Sequence, residues 1–345
     1  MPSAQWLMFG LALICAGSPA IASGAPSGPE GKAWPGGWHA ATIRVTEPGL
    51  TSRGDLRPAL AARDGWMYFG YGDGLYRIDS LAGKLTRIRT IPDGCAPVVD
   101  EAMRFSCGGD GAIARLSNGR TEVLRVVAPS RCSVIPPGAT TALSVQGLAP
   151  RGSSLWFSLP RADGVGSVAG RASKSWCVGA FRTPRQVVPT ARGVWFTDDA
   201  GDVALLRDGR VRHAWRGLAR ALGGSPSLAP DMDGGVFVVA ASGETLLRLS
   251  ADGRCRDFRL PHPALGVLTT DRSGRCWVEL LTRRSDDDYP WSRLRIGLLR
   301  IDARGTRFFD VPLNAGSAGI VADRRGRLWL NDGHQYIVLT PPKDA

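Results

Sequence analysis

Asp323-Arg-Arg-Gly-Arg-Leu-Trp329-Leu recurs along the chain as Asp271-Arg-Ser-Gly-Arg-Cys-Trp277-Val and as Asp231-Met-Asp-Gly-Gly-Val-Phe237-Val. Each copy joins an Asp/Gly turn to a short apolar strand centred on an aromatic residue, the local chemistry of a tight turn feeding a buried strand. Working outward, the aromatic position returns at Tyr68, Phe105, Trp156, Trp195, Phe237, Trp277 and Trp329, at intervals of 37 to 52 residues. The turn is least regular before Phe105, where Ala102 stands in place of the Gly.

The unit around each aromatic is constant. A small apolar strand (319–322, for example) precedes the turn, and a third strand (244–249) follows a variable loop. A Gly turn then leads to a fourth strand (305–308). A twisted four-stranded sheet cannot cover both of its faces alone, whereas seven of them in a ring bury each other. The expected fold is therefore all-β, a seven-bladed propeller of four-stranded blades. After Trp329 only one further strand is evident, at 334–339, so the last blade lacks its outer strand. The alternating stretch Ala41-Thr-Ile-Arg-Val-Thr46 is expected to supply it and close the ring. Residues 211–222 are the one stretch with some helical content.

Residues 6–16 form an apolar run of signal-peptide length, and Ala20-Ile-Ala22 is a small-x-small cleavage site. The expected division is a signal peptide at 1–22, a Gly/Pro/Ala-rich N-terminal arm at 23–40 and a single propeller domain at 41–345, cleaved after Ala22 and secreted or periplasmic. No later run of 18 apolar residues predicts a membrane span. Export makes disulfides the natural reading of the six cysteines beyond Cys15. Six thiols allow 15 pairings, and sequence neighbours are the expected partners: Cys95–Cys107, Cys132–Cys177 and Cys255–Cys276. The net charge of +12 comes from 39 Arg and 4 Lys. They are spread along the chain without interleaved aromatics, which argues against a nucleic-acid partner. A monomer is expected.

Propeller ligands sit at a mouth of the central channel, among the loops after each second strand and those entering each blade. The ligand-binding candidates are accordingly Arg161, Asp198, Asp287, Tyr289 and Trp291 from the first set, with Arg57 and Arg185 from the second. Residues 281–293 insert about ten residues into the sixth unit, and long ordered loops are disproportionately functional. The insertion holds three consecutive Asp, but calcium loops alternate their oxygen ligands around a Gly, so no cofactor is specified. Mg²⁺ and Ca²⁺ are the ions such carboxylates would take. The four His residues form no H-x-x-x-H or H-E-x-x-H pattern, and G-x-S-x-G, Walker and dinucleotide signatures are absent.

The pattern D-x-x-G-x-[LV]-W-[FV], with Gly193-Val-Trp-Phe-Thr-Asp198 and Asp257-Phe-Arg-Leu-Pro261, resembles the virginiamycin B lyase (streptogramin lyase) family across most of residues 58–339. The resemblance implies a seven-bladed propeller. It also implies Mg²⁺-assisted elimination that opens a cyclic depsipeptide, carried by a His in a P-H-G-I segment, a Glu and a second His. Here His262 lies between Pro261 and Pro263, and Glu279 follows Trp277 by two residues where the family's W-F-T-E places it at three. The catalytic candidates the resemblance leaves are His262, His334 and Glu279. The expected function is a binding module for a small molecule, glycan or envelope protein at the channel mouth. The alternatives are a metal-assisted C–O lyase and an architectural envelope protein.

Overall fold

All seven aromatic positions fall on the second strand of a separate antiparallel sheet in the computed structural model. It describes residues 32–34, 37–44, 60–61, 65–71, 73–78, 85–91, 97–100, 102–109, 111–117, 120–129, 143–218, 227–283, 294–314, 319–331 and 335–342. Six sheets have four strands paired in chain order from the channel outward, and the seventh has five. The fold is a seven-bladed propeller. Blades are numbered here in chain order, beginning at Leu60.

The second strand of blade four, Gly193–Thr197, shows why these sequences form sheets with no polar face. Its Val194, Trp195, Phe196 and Thr197 are all buried. Val194 and Phe196 pack with Val165, Val178 and Phe181 of blade three and the linker beyond it. Trp195 packs with Leu228, Val236 and Val238 of blade five. Alternate side chains thus serve alternate neighbours, so strict hydrophobic alternation disappears where both faces are covered. The outer strand Arg210–Trp215 alternates exposed and half-buried positions because it forms the rim.

The recurring Asp is the organising residue of its turn. Asp271 Oδ1 accepts the amides of Ser273 (2.9 Å) and Arg275 (3.1 Å), while Oδ2 accepts Arg275 Nε (2.7 Å) and Trp277 Nε1 (3.0 Å). Asp323 repeats the arrangement with Arg325, Arg327 and Trp329. Asp100 holds Ala102 and Arg104 in the same way, so the irregular second unit keeps its turn. In blades three and four Pro150 and Pro189 occupy the position six residues before the Trp. There the turns are shorter, and Trp195 Nε1 donates instead to the carbonyl of Gly234 in blade five (3.0 Å).

The ring closes as expected, through the N-terminus. The order in the seventh sheet is Lys32–Trp34, Trp38–Arg44, Gln335–Thr340, Leu328–Asn331 and Gly319–Ala322. Two details depart from the sequence reading. The closing strand starts three residues early, at Trp38, and Lys32–Trp34, read as part of an arm, pairs with it as a fifth strand. Trp38 supplies the reason. Its indole is buried edge-on against Trp277 (5.9 Å) and Phe309 (5.2 Å), and that burial extends the strand to reach it. Within residues 211–222, Val211 to Trp215 belong to a strand, and 219–222 lie outside the described residues.

The expected Cys255–Cys276 bridge is corrected: both thiols are free. Cys255 heads the outermost strand of blade five, whereas Cys276 is fully buried at the start of blade six's second strand, at a different radius of the ring. Cys107 and Cys177 are each in a disulfide. Cys95 and Cys132, the partners expected for them, lie outside the described residues.

Candidate functional site

The second strand of each blade runs from the Asp/Gly turns toward the opposite face, the mouth. The residue two places after each aromatic therefore forms a layer near that mouth: Gly70, Cys107, Ser158, Thr197, Val239, Glu279 and Asn331. Four of the seven are polar, and Ser158, Thr197, Glu279 and Asn331 are all buried. Burying a polar side chain without a partner costs a few kcal/mol, so such a layer is retained for a structural or functional reason. Ser158 has a structural one, since its hydroxyl donates to the Arg185 carbonyl (2.6 Å).

Arg185 begins at that contact and reaches along the mouth to the neighbouring blade. Its Nε and Nη2 donate to Asp199 Oδ1 (2.5 Å) and Oδ2 (2.8 Å), and its Nη1 donates to Gln146 Oε1 of blade three (3.0 Å). A two-pronged pair of this kind fixes orientation as well as charge. The hydrogen bond from Arg185 holds the Asp199 carboxyl below its ordinary range, and the same bond raises the Arg185 pKa. The backbone is pinned too: Arg185 N donates to Thr197 O (2.8 Å) and Thr197 N to Gln186 O (3.1 Å). Gln186 continues the chain of contacts into blade five, its side-chain amide exchanging hydrogen bonds with the backbone of Leu228. Blades three, four and five are thus tied together along one arc of the mouth.

Asp198, a ligand-binding candidate, has a different setting from Asp199. It is buried, its Oδ1 accepts the amides of Ala200 and Asp202 (3.0 Å each), and burial raises its carboxyl pKa. It shapes the loop that presents Asp199. Arg161 is exposed on a single 3₁₀ turn, Pro160–Ala162, closed by Asp163 in a left-handed conformation. Asp163 Oδ1 accepts Thr183 N (2.9 Å), which brings this loop to the one beneath Arg185.

Blade six forms the other notable part of the mouth. Its second, third and fourth strands, Cys276–Arg283, Leu294–Asp302 and Gly305–Asn314, are the longest of their kind among the described strands. They extend past the level at which the other blades turn. Glu279 sits in the first of them, fully buried, where the inner strand shifts register between Ala264 and Leu268. The ring of His262 lies against Phe308 of the blade's outermost strand, centroids 5.3 Å apart, which sets it toward the rim. The structure therefore gathers Arg161, Arg185 and Asp198 on the blade three–four arc and leaves His262 and Glu279 in blade six. Arg57, Asp287, Tyr289, Trp291 and His334 lie outside the described residues.

Among the described residues no three His, Cys, Asp or Glu side chains converge on a point where they could hold a metal ion. The described residues thus do not compose the Mg²⁺ or Ca²⁺ site considered from the sequence. Gln146 and Gln186 were missed as mouth residues. Their only sequence trace is a polar side chain at the first position of an inner strand (Gln146) or just before it (Gln186), which the repeat alone does not distinguish from a loop residue.

No protein-family model matches the chain. A virginiamycin B lyase from Nocardia farcinica is 29% identical over 195 residues, which is 53% of this chain and 61% of that protein. The chain therefore matches less than two thirds of that relative's length. Among solved structures, a streptogramin B lyase aligns with a TM-score of 0.65 at 14% identity, covering 90% of this chain and 99% of its own. A catalytically inactive virginiamycin B lyase from Staphylococcus aureus with quinupristin gives 0.66 at 12% identity, covering 88% and 99%. A gluconolactonase from Xanthomonas campestris gives 0.51 at 13% identity, covering 92% and 99%. At such identities the structural likeness is one of fold. This chain is a seven-bladed β-propeller that resembles virginiamycin B lyase in sequence over about half its length and streptogramin B lyase in fold over nine-tenths of it.

Proposed function

We propose that this protein is an exported, monomeric binding propeller that holds a small molecule or glycan at the channel mouth without breaking a bond in it. One observation carries the reading. The Arg185–Asp199–Gln146 bridge spans two blades at the mouth, directly above the buried polar ends Ser158 and Thr197. That is a pre-ordered polar surface of the kind that orients a ligand. Export accords with the disulfide-bonded state of Cys107 and Cys177. A thermal-shift panel of oligosaccharides, peptidoglycan fragments and cyclic depsipeptides tests it. A ligand that binds only the folded state raises the melting temperature, and Arg185→Ala should abolish that rise.

A second reading, a C–O lyase, is favoured by the sequence identity to the Nocardia farcinica enzyme. Its support among this chain's residues is Glu279, a fully buried carboxyl that could serve as a proton acceptor. Its weakness is His262, whose ring packs on Phe308 at the rim. Consumption of a ligand, lost in Glu279→Gln, would favour this reading over the first.

A further inference from the structure

On the face opposite the mouth, blades three and four part to leave a cleft of about 590 Å³. Its walls come from the short turns around Arg192 and Asp208, at the far ends of the strands that carry Arg185 and Asp199 toward the mouth. The site is therefore distinct from the one described above, and the inference does not rest on the proposed function.

The cleft exists because the repeat fails here. In blades six and seven the turn's Asp takes both an indole N–H and an Arg guanidinium, satisfying each within the blade. By strand register Arg151 and Thr190, which follow Pro150 and Pro189, stand where that Asp does in blades three and four, so neither turn supplies a carboxylate. Trp156 is instead stacked on Trp176 of its own blade's outer strand, centroids 5.5 Å apart and planes 17° from parallel. Both indoles remain half-buried. Gly209 of blade four closes against Trp176, where a Cβ would stand 2.6 Å from the ring, so the pair is seated against backbone.

The cations follow the same logic. Arg151, Lys174, Arg192 and Arg207 line the cleft, all exposed, against the single carboxylate of Asp208. Neither Arg151 nor Arg192 forms an ion pair with a described residue. Lys174 Nζ lies 5.3 Å from the Trp176 ring centre, and Arg207 approaches Asp208 at 3.8 Å. The cleft thus has an excess of positive charge around an indole floor, and its volume is that of a small-ligand site.

We propose that this cleft binds an acidic saccharide, a short oligosaccharide carrying uronate carboxylates. A bare anion would answer the arginines and leave the indoles wetted. A sugar ring offers C–H faces to aromatic surface and hydroxyls to the surrounding donors, and its carboxylate suits the planar guanidinium fork.

Tri-galacturonic acid is the probe, titrated into the full-length mature protein at low salt and followed by calorimetry and tryptophan fluorescence. Binding is expected with a change in indole emission, weakened in ~0.5 M salt as exposed charges are screened. Maltotriose, which lacks the charge, and triglutamate, which lacks the rings, should each bind at least about tenfold more weakly, a difference of about 1.4 kcal/mol. Arg151→Ser with Arg192→Ser should weaken the uronate by about tenfold or more and leave the melting temperature unchanged, since neither side chain forms an ion pair with a described residue. Trp176→Leu, checked for folding by circular dichroism, should remove the fluorescence response and the preference over triglutamate. Absence of uronate binding, unchanged affinity in the double variant, or equal affinity for triglutamate would each overturn the proposal.

Discussion

The indole N–H of Trp277 donates to the carboxylate of Asp271, six residues earlier in the chain, at 3.0 Å. This bond ties the turn to the aromatic wedge between blades six and seven, and Trp329 and Asp323 repeat it. Asp271→Ala would leave the indole, two amides and the Arg275 guanidinium without their acceptor. Hydrogen bonds to a buried charged group are worth about 1.5–3 kcal/mol each, with strong non-additivity. The expected loss is roughly 2–4 kcal/mol, read by urea unfolding. A loss below ~1 kcal/mol would show that the motif is ornamental.

Gly147 sits at φ +53° in the inner strand of blade three, and a Cβ there would lie 1.9 Å from the Arg185 carbonyl oxygen. That oxygen also accepts the Ser158 hydroxyl. Gly147→Ala should therefore displace the start of blade four. A cost of about 2–4 kcal/mol is expected, from left-handed strain and overpacking together. Ligand binding at the mouth should fall with it, whereas Gly152→Ala, in open space with a similar φ, should cost only the strain.

Asp199 and Asp198 are adjacent and respond to acid in opposite directions. The Asp199 carboxyl is held low by Arg185, so its stabilising contribution is complete above its unfolded pKa of about 4. That contribution is lost as pH falls through the lower folded value. The Asp198 carboxyl is raised by burial, so its ionisation opposes folding at neutral pH and protonation relieves that opposition. The melting-temperature gap between the wild type and Asp199→Asn should thus be largest near neutrality and close toward pH 3. A gap that widens on acidification would refute the assignment.

Of the two free thiols, Cys276 is fully buried and burial raises its pKa well above the ordinary thiol value. Cys255 is exposed, and its pKa is raised by partial burial and then by Asp257. A thiol reagent at pH 8 should modify Cys255 slowly in the native protein and spare Cys276 until unfolding. Peptide mapping of the labelled protein reads this directly, and native labelling of Cys276 would contradict the packing of blade six.

Architecture was legible because the propeller repeats one physical solution. The turn Asp, the aromatic strand and the Gly turns recur often enough that Phe105 could be placed even with Ala102 in the turn. Closure was legible in kind, from a missing strand at one end and a spare one at the other. The exact start at Trp38 was not, because it depends on Trp277 and Phe309, which lie far away in sequence. The Cys255–Cys276 pairing failed for a related reason: sequence proximity does not report that an outer strand and a second strand lie at different radii. At the mouth, Arg185 was legible as a loop cation. Its grip on Gln146 was not, since that contact crosses from one blade to the next. The Trp156–Trp176 cleft is visible in hindsight in the turns after Pro150 and Pro189, where Arg151 and Thr190 stand in place of the repeat's Asp.

The most direct test of the central claim is reversed-phase chromatography of quinupristin incubated with the purified protein, with and without Mg²⁺. Ring opening by elimination leaves the mass unchanged, so retention time is the readout. A binding propeller returns quinupristin intact in every condition. A ring-opened product formed by the wild type and lost in Glu279→Gln would contradict the account and make this protein a lyase.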